Sequence, residues 1–111
     1  MVTGITEGTI ARTKELLDLE TKDLAKAIGC TSGTLNRWRR GAQDPSKRFL
    51  QKLQLLDAFM YELQKRSRSR RQAREWFETR IPALGNHTPR DVFMEGRFDL
   101  LVVYLRRHER I

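Results

Sequence analysis

Six side chains between residues 32 and 40 combine short hydrogen-bonding groups with three guanidiniums: Ser32, Thr34, Asn36, Arg37, Arg39 and Arg40. Thr31 stands just ahead of them. Hydroxyls and an amide early in a helix can approach base edges closely, and arginines on its later turns reach bases or phosphates. No acid occurs between Asp23 and Asp44, so nothing along this stretch repels a polyanion. The chemistry implied is contact with duplex DNA through Thr31, Ser32, Thr34, Asn36, Arg37, Arg39 and Arg40.

Such a surface needs a scaffold, and the flanking residues have the spacing of a helix-turn-helix. Leu24 and Ile28 lie i, i+4 on one face of a first helix, and Ala25 is small where a second helix must approach. Gly29 suits a left-handed turn, and Thr31 is placed to cap the next helix. Leu35 and Trp38 then point back into a core. Thr21 is expected to cap the first helix, with Asp23 near its positive end. An ordinary helical hairpin has the same apolar spacing, and the polar, basic remainder of the second helix is what favours DNA.

Composition points the same way. The chain of 111 residues carries 22 Lys and Arg against 14 Asp and Glu, a formal charge of +8. This suits a polyanionic partner and a single domain, or a small domain with an appendage. No apolar run is long enough to span a bilayer and no signal-peptide segment is recognisable, so a cytoplasmic protein without a membrane partner is expected. Cys30, the one cysteine, falls where the turn wants a small hydrophobe. His87 and His108 lack the neighbours that a metal site requires, and no metal or cofactor is expected.

An all-α architecture follows from the periodicity: a helix-turn-helix bundle, a long connecting helix and a small C-terminal helical module. A first helix over about residues 6–18 buries Ile10, Leu16 and Leu17. From about Ser46 a long helix repeats Phe49, Leu53, Leu56, Met60 and Leu63, widened by Leu50, Leu55 and Phe59. A helix apolar over so much of its circumference buries two sides, one on the helix-turn-helix and the other on the C-terminal region or a second subunit. Five arginines and no acid in residues 66–74 read as a solvated hinge or a helix extension. Three short helices are expected over residues 72–79, 89–95 and 97–107. Thr88, Pro89 and Asp91 form a relative of the capping box, and Gly96 ends that helix. Phe98, Leu101, Val102 and Leu105 form the buried stripe of the last helix, with Val103 and Tyr104 on its flank. The division is residues 1–65 for the helix-turn-helix with its long helix, 66–71 for a basic hinge and 72–111 for the C-terminal module.

The first part resembles the helix-turn-helix of Xre-type regulators. Trp76, the run Pro82, Ala83, Leu84 and Gly85, then Thr88, Pro89, Val92, Gly96 and the apolar last helix resemble the toxin-binding domain of Xre/MbcA/ParS antitoxins. The pattern departs from the family at Arg80 and Ile81, where an Asn-Pro-like turn is commoner. The resemblance implies a type II antitoxin that inhibits a RES-domain toxin, a class that degrades NAD, and that represses its own promoter, acting as a homodimer. It places the toxin-facing surface in residues 72–111, shaped by Trp76, Leu84 and Pro89. Exposed neighbours are the candidate toxin contacts: Asn86, Arg90, Arg97, Arg106, Arg107, Glu109 and Ile111. Residues 106–111 form a polar tail with a terminal apolar side chain, which either enters an enzyme cleft or is simply a frayed end.

The competing reading is a stand-alone transcriptional regulator whose C-terminal module mediates dimerisation or senses a small molecule. An enzyme is disfavoured because no nucleophile and base arrangement, phosphate-cradling glycine loop or catalytic carboxylate pair can be assembled. RNA binding lacks interleaved aromatics for base stacking, since Trp38, Phe49 and Phe59 all have core explanations.

Overall fold

Caps and apolar spacing start and stop the helices. The computed structural model describes residues 3–111, with side chains from Gly8 onward. The order is α1 (Thr3–Leu17), α2 (Thr21–Ile28), α3 (Ser32–Arg39), α4 (Lys47–Arg66), α5 (Arg70–Phe77), a 3-10 turn (Pro82–Leu84), α6 (Pro89–Met94) and α7 (Phe98–Arg106). The fold is all-α: among the described residues there is no strand, and an isolated antiparallel bridge joins Ile81 to His87.

The helix-turn-helix forms from α2 and α3 as its residues require. Gly29 has φ +96° and its N–H bonds back to the Ala25 carbonyl, which ends α2. Thr31 accepts the Thr34 N–H and starts α3. Leu24, Ala25, Ile28, Leu35 and Trp38 are all buried. One cap differs from expectation. Glu20 occupies the N-cap of α2, without a side-chain cap bond. Thr21 is the first helical residue, and its hydroxyl accepts from Lys14 Nζ at 2.7 Å. The left-handed Asp18 and the buried Leu19 set where the chain enters α2, so tertiary burial overrides the local capping preference of threonine.

The two-sided burial of α4 is satisfied within the chain. It packs most extensively against α7 and next against α1. Leu53, Leu56, Phe59, Met60 and Leu63 are buried, Phe49 and Leu50 half-buried, and Leu55, expected to widen the buried face, lies on the outer side at 42% exposure. A polar seam also ties α1 to α4, where Thr9 and Arg12 both donate to Asp57 Oδ1, at 2.8 and 2.9 Å.

The C-terminal helices join the same hydrophobic core. Helix α5 starts two residues before the expected position because Ser69 accepts the Gln72 N–H. Only residues 67–69 lie between α4 and α5. Thr88 and Asp91 complete a full capping box on α6, and hydrogen bonds from Thr88 hold the Asp91 carboxyl below its ordinary range. Phe98, Leu101, Val102 and Leu105 are buried on α7. Burial of each of these side chains is worth about 1.5 to 3 kcal/mol towards docking α7. The turn at 82–85 was not foreseen in the sequence. Gly85 and Asn86 both take positive φ, +68° and +65°, which brings His87 back to pair with Ile81.

Candidate nucleic-acid and protein interfaces

The candidate DNA contacts occupy the part of α3 that the buried Leu35 and Trp38 leave uncovered, and side-chain bonds order several of them. Thr31 donates its hydroxyl to Thr34 Oγ1 at 2.9 Å while accepting the Thr34 N–H. Arg37 donates to Thr34 Oγ1 at 3.1 Å and to Gln43 Oε1 at 2.9 Å. Arg39 reaches Asn36 Oδ1 at 3.4 Å, a weak bond. Arg40 closes the helix as its C-cap and is exposed. Ser32, Thr34 and Asn36 are half-buried, leaving them less accessible than Thr31, Arg37, Arg39 and Arg40. Gln43, in the loop after α3, escaped the sequence reading because nothing local marks it as the partner of a residue six positions earlier. Trp38 packs against Phe49 with ring centroids 5.2 Å apart, and the Arg48 guanidinium lies over the Phe49 ring. The first turn of α4 therefore fixes α3 from behind and carries a further cation at that junction.

The candidate toxin contacts are spread over the C-terminal module, and among the described contacts no hydrogen bond or ion pair joins any two of them. Arg90 bridges modules: it bonds Glu78 at 2.9 Å and lies 3.9 Å from Asp23 on α2. Arg97 pairs with Asp99 at 3.2 Å, and that bond lowers the Asp99 pKa and raises that of Arg97. Asn86 is exposed, but its residue type serves the backbone, since asparagine tolerates the left-handed conformation found there. Arg107 makes no ion pair among the described residues and is exposed.

Arg106 has a structural partner that the sequence does not announce. Glu62, 7% exposed on α4, accepts from Arg66 at 2.5 Å and from Arg106 at 3.1 Å. The bond from Arg106 is the main cause holding the Glu62 carboxyl below its ordinary range, with Arg66 adding to it and burial opposing. Arg66 also donates from Nε to the His108 carbonyl at 2.6 Å, and Ile111 packs against the core. The C-terminal tail, for which the sequence leaves a frayed end open, is thus held down by a cluster at the end of α4. Glu109 stays exposed beside Lys65 and Arg66.

The arginine run differs from a wholly solvated segment. Arg66 is half-buried in the cluster just described, Arg70 pairs with Glu15, and Arg74 donates to the Leu16 and Glu15 carbonyls at 3.0 and 2.7 Å. Three of the five arginines therefore staple α1, α4, α5 and the tail together. Arg68 and Arg71 are exposed and have no ion pair to another helix among the described residues, with Arg71 3.7 Å from Glu75 of its own helix. Among the described residues, no group of three or more His, Cys, Asp or Glu side chains is placed to hold a metal ion, and no helix is long and apolar enough to cross a membrane.

The sequence matches no protein-family model and no curated protein. Among solved structures, the chain is similar to one in the crystal structure of the M. tuberculosis MbcT–MbcA toxin–antitoxin complex, with a TM-score of 0.73 and 19% sequence identity. The match covers 98% of this chain and 94% of that one, so it spans the helix-turn-helix and the C-terminal helices alike. The chain therefore has the fold of a component of that toxin–antitoxin complex, as the sequence resemblance to Xre/MbcA/ParS antitoxins implies.

Proposed function

We propose that this protein is a type II antitoxin that binds and inhibits a RES-class, NAD-degrading toxin through residues 72–111 and represses its own promoter through α3. The observation that carries the antitoxin reading is the likeness in fold over 98% of the chain to a component of a toxin–antitoxin complex. The RES class and the NAD chemistry rest on the sequence resemblance. Promoter binding rests on the acid-free face of α3, with Thr31, Arg37, Arg39 and Arg40 exposed and Thr34 and Asn36 half-buried, on a chain of net charge +8. A homodimer would present two such helices to half-sites about 34 Å apart. In this arrangement the protein is a binding module acting in the cytoplasm, without catalysis of its own.

The test uses the product of the adjoining reading frame. Co-expressed with this chain, that product should cease to deplete cellular NAD, and the purified chain should inhibit NAD loss in vitro at stoichiometric concentration. A gel shift with the upstream promoter checks the DNA half separately. A chain that shifts the promoter but leaves the neighbouring protein active would overturn the antitoxin reading in favour of a stand-alone regulator.

A further inference from the structure

Helix α7 is apolar on two sides. Its inner stripe enters the core, while Leu100, Val103 and Tyr104, followed by Arg107, run along the outer side at spacings of three, four and seven. Leu100 is 41% and Val103 46% exposed, two of the four large hydrophobics exposed among the described residues. With Leu84 and Val92 they line an open groove of about 340 Å³, which Arg107 and His108 complete where α7 ends. The groove is preformed. The 3-10 turn carries Leu84 to one wall, and the His108 ring stacks on Tyr104 at 4.3 Å with Nδ1 2.8 Å from the Tyr104 carbonyl oxygen.

We infer that this groove is the anchor site for the toxin, receiving one or two aliphatic or aromatic side chains that stand beside a carboxylate on the toxin surface. The inference rests on the antitoxin reading above and specifies where the partner is gripped. The volume lies at the low end of small-ligand cavities, about 300 to 1,000 Å³, and the groove is open, which suits side-chain anchors better than an enclosed ligand. Charge selects the occupant. Arg107 lacks an acidic partner among the described residues, so a carboxylate docking there gains an ion pair without breaking one. The other arginines expected from the sequence to make contact are less available, because Arg90, Arg97 and Arg106 are already paired.

The probe is the purified product of the adjoining reading frame, titrated against wild type, Leu100→Arg/Val103→Arg, Arg107→Glu and a control, Tyr61→Arg, on the exposed side of α4. Because Leu100 and Val103 are outside the inner stripe, the double variant should melt as wild type does and shift promoter DNA equally. Its toxin affinity should fall by about 100-fold or more, and that of Arg107→Glu by about tenfold, with the control unchanged. Wild-type binding with the double variant within about threefold of it overturns the groove and leaves the antitoxin reading standing. Absence of binding by wild type overturns both. Loss of self-association by the double variant with toxin affinity kept overturns the inference by making the groove a self-interface.

Discussion

Glu62→Gln isolates the cluster that holds the C-terminal tail. The substitution keeps size and one acceptor while removing the negative charge between Arg66, whose side chain is 10% exposed, and Arg106, whose side chain is 62% exposed. Breaking a buried ion pair by removing one partner costs about 3 to 5 kcal/mol. Here Arg66 retains the Glu62 and His108 carbonyls at 3.2 and 2.6 Å, and Arg106 can rehydrate, so the cost should be lower, about 2 to 3 kcal/mol. For a chain of 111 residues that lowers Tm by about 9 to 13 °C. Acid supplies the second check. The folded-state pKa of Glu62 is depressed, so its contribution is fully present above the ordinary value of 4.5 and is lost as pH falls from there through the folded pKa. Thermal melts of wild type and variant should therefore differ by a constant amount down to about pH 5 and converge below it. A difference under about 0.5 kcal/mol at neutral pH, or one that widens on acidification, would refute the assignment.

Asn36→Ala or Arg37→Ala should weaken promoter binding by about 1 to 3 kcal/mol with less effect on random DNA, and equal losses on both in gel-shift titrations would argue against base readout. Gly96→Ala should destabilise by about 2 to 4 kcal/mol in denaturant melts, because at φ +76° the added Cβ stands 2.9 Å from the Ala27 carbonyl oxygen. Gly85→Ala, also at positive φ but with its nearest new contact at 3.4 Å, should cost only about 1 to 2 kcal/mol, and equal losses at the two sites would refute the packing argument. Deleting residues 108–111 should abolish inhibition of NAD loss, keep promoter binding and cost about 1 to 2 kcal/mol through the lost Arg66 bond. Inhibition that survives the deletion assigns blockade of the toxin to the folded surface alone.

The sequence by itself determined the elements and their inner faces. Gly29, Thr31 and the pair Thr88 and Asp91 act within four residues of themselves, and the apolar repeats of α4 and α7 mark their buried stripes without reference to any other helix. The chemistry of the α3 face was legible for the same reason, since its residues are successive on one helix. Tertiary structure decided how the charges are used. Residues 66–74 look like one basic run, yet Arg66, Arg70 and Arg74 find partners up to 59 positions away, while Arg68 and Arg71 have no such distant partner among the described residues. Glu62 looks like one more polar residue of a long helix until Arg106, 44 residues on, closes over it. The outer groove is likewise invisible in sequence, because Leu84 and Val92 meet Leu100 and Val103 only once α6 has packed against α7. Local propensity reaches about one helical turn, whereas pairing of charges and the shape left uncovered by packing depend on which helices become neighbours.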